Sequence, residues 1–156
     1  MEDTRIHNIK NMRQPLDFGG CCIGNGIYPT DIDALIEYRN KQYIIFEVKF
    51  RDYEVPFGQK LALQRMVDDF TKVGKQAIVI VCSHPVKDPN KKIILAKCSV
   101  REIYYGDEGE WRKPNVDITV LDALTNFELF ATNKLKEKEA WNGRKDARVL
   151  GEQTAC

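Results

Sequence analysis

The spacing of apolar residues divides the middle of the chain into strands and one helix. Apolar residues dominate 31–38 and 43–50, and the polar segment 39–42 joins these two runs, which predicts a β-hairpin. The second arm is apolar on both faces until Glu47, a pattern typical of a strand in the interior of a sheet. We therefore expect the second arm to lie between two other strands.

A change from alternation to helical spacing follows Gly58. The apolar residues that recur at this spacing are Leu61, Leu63, Met66, Val67 and Phe70. Gly74 ends the predicted helix, a buried strand is predicted over 76–82, and another strand is predicted over 93–100. The order strand, strand, helix, strand predicts an α/β fold in which a helix crosses a mixed sheet.

The two ends of the chain carry weaker patterns. The shorter predicted elements are a helix that ends before Pro15, strands over 18–23, 102–105 and 117–120, a turn over 106–109, and a helix over 121–132. The segment 134–156 is mostly polar and is interpreted as either a terminal helix or a flexible tail.

Composition indicates an ordinary globular protein. With 156 residues, 43% of them hydrophobic and 30% charged, we expect one domain over 1–156. The longest apolar run, 77–82, is far shorter than the roughly 20 residues that cross a bilayer. The first thirty residues lack a signal-peptide core, and five cysteines without a CxxC spacing indicate reduced thiols. We expect a cytoplasmic protein without a membrane partner.

Charge is balanced overall but unevenly distributed. The formal net charge is +1, yet 60–101 holds nine basic and three acidic residues, whereas 17–54 holds seven acidic and four basic ones. An acidic centre beside a basic surface fits a metal site that acts on a polyanion. Ordinary scattered surface charge is the open alternative.

Two carboxylates and a lysine form the candidate functional site. Glu47 and Lys49 are two residues apart in a predicted strand, so their side chains share a face. Hairpin pairing can bring Asp33, fourteen positions before Glu47, beside it on the neighbouring strand. Two such carboxylates would offer the oxygen ligands that Mg²⁺ prefers.

These residues stand in two segments, Pro-Thr-Asp-Ile-Asp-Ala-Leu-Ile-Glu at 29–37 and Ile-Ile-Phe-Glu-Val-Lys at 44–49, followed by a helix that opens at 58–59. The pattern resembles the PD-(D/E)XK nuclease superfamily over 31–82. The resemblance implies a restriction-endonuclease-like three-layer core, with a mixed central sheet flanked by helices. It also implies a metal-dependent nuclease that uses Mg²⁺, or alternatively Mn²⁺, and activates water to hydrolyse phosphodiester bonds.

The same resemblance implies a role for each matching residue. Asp33 and Glu47 would hold the ion together with the backbone carbonyl of Val48, and Lys49 would orient or deprotonate the attacking water. Gln59 would support the metal site or the scissile phosphate. Asp31 shares a face with Asp33 and is either an auxiliary ligand or, as an alternative, the principal one.

The expected partner is nucleic acid, with DNA as the substrate of a repair or recombination nuclease, and a homodimer is left open. Lys60, Lys91 and Lys92 are the candidate phosphate contacts. Two alternatives also stay open. One is a nucleic-acid-binding module that keeps the fold without turnover, and the other is a structural cluster of ion pairs around Glu47.

Overall fold

The computed structural model describes residues 17–24 and 26–127, which include five strands and two helices. The elements in chain order are β1 (Ala34–Tyr38), β2 (Gln42–Phe50), α1 (Phe57–Lys72), β3 (Gln76–His84), a short 3₁₀ turn (Leu95–Lys97), β4 (Ser99–Tyr105), β5 (Glu110–Arg112) and α2, which begins at residue 120 and is described to residue 127. The chain divides into two compact units, 1–31 and 32–156.

The described part of the first unit consists of turns. Ile23 and Ile27 exchange backbone hydrogen bonds of 3.0 and 3.1 Å in an isolated bridge. The strand predicted over 18–23 is wrong, because Gly20 and Gly24 adopt positive φ angles of 77° and 56° that interrupt an extended backbone. The predicted N-terminal helix lies outside the described residues.

The predicted hairpin is confirmed in the second unit. β1 and β2 are antiparallel, with a register that runs from Ala34 opposite Phe46 to Tyr38 opposite Gln42. Arg39 and Asn40 have φ angles of 52° and 56°, the left-handed pair that matches the twist of hairpin strands. The short polar connection therefore fixes which residues of the two strands meet.

A single mixed sheet in the order β1-β2-β3-β4-β5 forms the centre of this unit. β2 and β3 are parallel, the other neighbouring pairs are antiparallel, and α1 connects the two parallel strands. The predicted α/β class, the helix after Gly58 and the interior position of β2 are confirmed. Because β2 and β3 run in the same direction, their carboxyl ends lie at the same edge of the sheet.

Each face of the sheet is covered by a helix. Against α1 lies a cluster made of Ile45, Leu63, Val67, Ala77, Val79 and Tyr104. Against α2 lies a larger cluster that includes Ile44, Phe46, Ile78, Ile80, Cys82, Val120, Ala123 and Phe127. Alternate residues of β2 therefore face opposite helices, and Glu47 and Lys49 share the α1 face with Ile45.

The second half of the sheet differs from the sequence-based expectation. The strands predicted over 93–100 and 102–105 are one strand, β4, and residues 93–98 precede it as a loop with the 3₁₀ turn. Ile93 and Ile94 misled the prediction because they are β-branched yet 46% and 56% exposed. The strand predicted over 117–120 is also wrong, since Thr119 forms only an isolated bridge to Ser99.

The predicted turn at 106–109 is confirmed, and α2 covers the described part of the helix predicted over 121–132. The terminal segment 134–156 lies outside the described residues. Within the described residues, every helix is too short or too polar to cross a bilayer.

Gly106 provides a test of how closely the chain packs on α1. A Cβ atom at this position would lie 2.2 Å from Thr71 Oγ1 and 2.7 Å from Val67 Cγ1. We expect Gly106→Ala to lower the free energy of unfolding by about 1–3 kcal/mol, because the helix must shift to accommodate the methyl group. Urea denaturation of the two proteins measures this difference.

Gly58→Ala is the matched control, because a Cβ atom there meets nothing within 4 Å and the residue lies in α1. This variant should be neutral or more stable by about 0.5–1 kcal/mol. Equal stability of wild type and Gly106→Ala would contradict the close approach of the turn to α1.

Candidate active site

A buried carboxylate lies in the second half of β2. Glu47 is 2% exposed, on the face of the sheet that α1 covers. An ionised carboxylate at this depth is strongly unfavourable unless cations and hydrogen-bond donors compensate it. The cations and hydrogen-bond donors around Glu47 therefore determine which chemistry this carboxylate can take part in.

Lys49 and Gln59 surround this carboxylate in a closed set of contacts. Lys49 Nζ lies 2.6 Å from Glu47 Oε1, and Gln59 Nε2 donates a hydrogen bond of 2.8 Å to Glu47 Oε2. Lys49 Nζ also donates a hydrogen bond of 3.4 Å to Gln59 Oε1. Each of the three side chains therefore contacts the other two, and the amide of Gln59 is fixed by both of its ends.

Two elements bring these groups together. Strand parity directs Glu47 and Lys49 to the same face, and the loop 51–56 returns the chain so that α1 begins over that face. Gln59 lies in the first turn of α1 and is 9% exposed. The structure thus brings together three of the residues that the sequence predicts for the site.

Asp33 lies across from these residues, just before β1. Its Oδ2 accepts a hydrogen bond of 2.6 Å from the backbone N–H of Val48. The side chain of Asp33 thus adds one hydrogen bond to β2 just before β1 begins. The N–H and C=O of one strand residue project toward the same neighbouring strand. The carbonyl of Val48 is therefore on the side of β2 from which Asp33 approaches.

The donor atoms fit a small divalent cation. Two carboxylates and a backbone carbonyl are hard oxygen ligands, and Mg²⁺ binds with one or two carboxylates while it retains several waters. Among the described residues there is no cluster of three or more His, Cys, Asp or Glu side chains, so water would complete the coordination. Binding at Glu47 would require the cation to replace the ammonium group of Lys49 at Oε1.

Asp31, the other ligand suggested by the sequence, belongs to the first compact unit, whereas Asp33, Glu47, Lys49 and Gln59 belong to the second. Its role as an auxiliary or principal ligand stays a prediction.

A buried thiol lies behind the two carboxylates. Cys82 is opposite Val48 in the β2–β3 register, on the α2 face of the sheet. The pKa of the Cys82 thiol is raised to about 12, mainly by burial and to a smaller extent by the neighbouring Cys98 thiol and the Asp33 and Glu47 carboxylates. The thiol is therefore neutral near pH 7.

The basic residues predicted to contact nucleic acid occupy two different environments. Lys60 Nζ lies 2.7 Å from both carboxylate oxygens of Glu102, and it also lies 4.2 Å from the ring centroid of Trp111. These contacts connect α1 to β4 and β5. Sequence reasoning missed Glu102, because no local pattern links residues 42 positions apart.

Lys91 and Lys92 are exposed in the loop 85–94, which follows β3. Phe50 and His84, the last residues of β2 and β3, are opposite each other. The loop 85–94, called the basic loop below, therefore leaves the sheet at the end where β2 carries Glu47 and Lys49. His84 belongs to this loop junction, where its Nδ1 accepts a hydrogen bond from the N–H of Val86.

Comparison with known proteins finds no matching family model, and neither the curated proteins nor the solved structures contain a match to this chain. The resemblance to the PD-(D/E)XK superfamily, based on segments 29–37 and 44–49 and the helix that follows them, therefore stays a prediction from the sequence.

Metal binding by the two carboxylates can be tested through thermal stability. We expect Mg²⁺ or Mn²⁺ to raise the Tm of the wild-type protein, because a cation that binds only the folded state stabilises it by about 2.7 kcal/mol at a hundred-fold excess over Kd. The double variant Asp33→Asn, Glu47→Gln should lose this shift. Differential scanning fluorimetry over a metal titration measures it.

Asp69→Asn is a suitable control, since this exposed carboxylate on α1 also pairs with a lysine. It should retain the full metal-dependent shift. An equal shift in the Asp33→Asn, Glu47→Gln protein would place the metal site elsewhere.

Proposed function

We propose that the protein is a metal-dependent nuclease that hydrolyses phosphodiester bonds in DNA. The observation that carries the proposal is the set of mutual contacts among Glu47, Lys49 and Gln59. Asp33, which directly precedes the neighbouring strand β1, is bonded to the N–H of Val48 beside them. Two acidic oxygen donors can hold a metal ion and a lysine beside them can orient water, and these groups together can hydrolyse a phosphodiester. The proposal includes a restriction-endonuclease-like core, in keeping with the mixed sheet and its two helical layers.

In this mechanism Asp33, Glu47 and the carbonyl of Val48 would hold the divalent ion. When bound, the ion supplies a water of lowered pKa and neutralises negative charge that develops on the phosphate. Lys49 orients the attacking water beside the phosphate, and Gln59 positions Lys49 and Glu47 through its amide oxygen and nitrogen. Water adds at phosphorus and loses a proton to the solvent, the bond from phosphorus to the leaving oxygen breaks, and that oxygen takes up a proton from the solvent.

The cost of burying the charged pair favours a functional role over a purely structural one. A buried ion pair seldom stabilises a fold more than apolar residues of the same size would, because both charges lose their hydration. Glu47 and Lys49 interrupt a strand that is otherwise apolar except for Gln42 and is buried over 44–46. Retaining charge in such a strand is typical of catalytic sites.

The position of the basic loop supports a polyanionic substrate. Lys87, Lys91 and Lys92 are exposed in this loop against one acidic residue, Asp88. The loop leaves β3 at the sheet edge toward which the site lies, so a nucleic-acid backbone could contact these lysines while a phosphate reaches Lys49.

The distinct roles of Lys49 and Glu47 give a test of the mechanism. We expect Lys49→Ala to lose turnover by about 10²-fold or more while it retains the metal-dependent rise in Tm, because lysine acts on water or phosphate and not as a ligand. Glu47→Gln should lose both. Cleavage of labelled DNA with Mg²⁺, measured beside scanning fluorimetry, separates the two effects.

Lys72→Ala is the matched control, since Lys72 forms an exposed ion pair with Asp69 further along α1. It should cleave DNA as the wild type does. Full cleavage by both Lys49→Ala and Glu47→Gln would refute the nuclease proposal. DNA binding without cleavage by the wild-type protein would favour the binding-module alternative.

The basic loop gives a second test, which concerns the substrate. The double variant Lys91→Ala, Lys92→Ala should bind DNA with a salt dependence that is shallower by about one unit for each lost phosphate contact. DNA affinity measured at several salt concentrations, with Ca²⁺ in place of Mg²⁺ to prevent cleavage, gives this slope.

Arg39→Ala, Lys41→Ala removes the same charge from the hairpin turn at the opposite end of β2, where both residues are exposed. The slope of this control should equal that of the wild type. Identical slopes in all three proteins would show that the loop is ordinary charged surface.

A further inference from the structure

A second carboxylate lies in the same row across the sheet as Glu47. Glu47 is opposite Val81 in the β2–β3 register, and Val81 is opposite Glu102 in the β3–β4 register. Residues directly opposite each other share a face, so all three lie on the face that α1 covers. Neighbouring strands are about 4.8 Å apart, which separates the backbones of the two glutamates by about 10 Å. The row therefore carries one carboxylate on each side of an apolar residue.

Two consecutive residues of α1 bind these two carboxylates. Gln59 Nε2 donates a hydrogen bond of 2.8 Å to Glu47 Oε2, and Lys60 Nζ lies 2.7 Å from both carboxylate oxygens of Glu102. Consecutive residues of an α-helix point about 100° apart around its axis. The first turn of α1 is therefore held at two points of its circumference, by two strands, β2 and β4, that are not neighbours in the sheet.

The surroundings of Lys60 hold this side chain in place. The side chain of Lys60 is 30% exposed and that of Glu102 is 14% exposed. The ring centroid of Trp111 lies 4.2 Å from Lys60 Nζ, and Trp111 Nε1 donates a hydrogen bond of 3.2 Å to Gln64, one turn further along α1. An ion pair that is partly buried against an aromatic ring is screened less by water than one in open solvent. The charge of Lys60 is thus compensated within the protein.

Apolar packing alone fixes the rotation of α1 less narrowly. Leu63 and Val67, one and two turns after Gln59, are the buried apolar residues of this helix. Their contacts with the sheet are not directional, so a small rotation of the helix costs them little. The hydrogen bond from Gln59 depends on both distance and angle, and a displacement of the amide by about 1 Å would break it.

We propose that Glu102 is a positioning residue, which acts through Lys60 on the rotation of α1. This rotation keeps the amide of Gln59 in contact with both Glu47 and Lys49. The inference rests on the proposed nuclease function, and it assigns to that function a residue of β4, outside the segment that resembles the superfamily.

The first measurement is spectroscopic and does not depend on turnover. The side-chain amide signals of Gln59 in a proton–nitrogen correlation spectrum are identified by their loss in Gln59→Met. In Glu102→Gln, Lys60 loses its charged partner, so the Gln59 signals should shift toward those of exposed glutamines and exchange faster with water. Glu110→Gln is the matched control, because Glu110 forms an exposed ion pair with Arg112 on β5. It should leave the Gln59 signals unchanged.

The second measurement is the kinetics of DNA cleavage, at a temperature at which melting curves show every variant to be folded. Glu102→Gln should lower kcat by about ten- to a hundred-fold and leave KM nearly unchanged, because displacement of a positioning group impairs the reacting geometry more than substrate binding. The metal-dependent rise in Tm should persist, since Asp33 and Glu47 are intact. Glu102→Asp should recover most of the lost kcat, because the flexible Lys60 can still reach a carboxylate.

A third measurement distinguishes positioning from a role in substrate binding. Lys60→Met should lower kcat as Glu102→Gln does, and the double variant should be no worse than either single variant, because all three proteins lack the same pair. A different result is expected if Glu102 only neutralises a lysine that contacts phosphate. In that case Glu102→Gln would bind DNA more tightly, and Lys60→Met would bind it more weakly with a shallower salt dependence, which would overturn the inference.

The outcomes separate this inference from the nuclease proposal. Unchanged Gln59 signals in Glu102→Gln would overturn the inference whether or not the protein cleaves DNA. A wild-type kcat in Glu102→Gln would also overturn it, while the nuclease proposal would stand as long as Lys49→Ala is inactive. Absence of cleavage by the wild-type protein would overturn the nuclease proposal, whereas the amide signals would still show whether Glu102 positions Gln59.

Discussion

The compensation of one buried negative charge governs the local structure of this protein. Glu47 lies in the interior of the sheet, where its carboxylate needs both a cation and a hydrogen-bond donor. Lys49 supplies the first from the same strand, and Gln59 supplies the second from a different element. The start of α1 must therefore lie over β2, and the loop that precedes α1 must cross the end of the sheet.

Much of the site follows from local rules that a sequence displays. A two-residue spacing in a strand determines that Glu47 and Lys49 share a face, and a short polar connection determines that Asp33 approaches β2 near Val48. The helix that contains Gln59 was predicted from apolar spacing alone. These features depend on residues close together in the chain, so their geometry is set by strand and helix periodicity.

Other features depend on contacts that periodicity does not encode. The run that contains Ile93 and Ile94 satisfies the rules for a strand, yet β4 pairs with β3 only from Ser99 onward. Pairing is decided by which side chains fill the α2-facing core, and a bulge between Val81 and Cys82 shifts the register. The sequence does not predict the contact of Lys60 with Glu102 for the same reason. This contact joins α1 to β4, and the two residues are 42 positions apart in the chain.

The connections of α1 to the far side of the sheet have a consequence for folding. Every residue assigned to the proposed chemistry precedes residue 60, but α1, which packs on β2 and β3, is also held by polar contacts to strands that come after residue 98. Lys60 binds Glu102, Gln64 accepts a hydrogen bond from Trp111, and Asp68 accepts one from Tyr104. During synthesis, a chain that ends before β4 would contain the complete motif but lack these three contacts of α1. The position of Gln59 would then depend on the packing of α1 against β2 and β3 alone, and β4 and β5 would complete its support later.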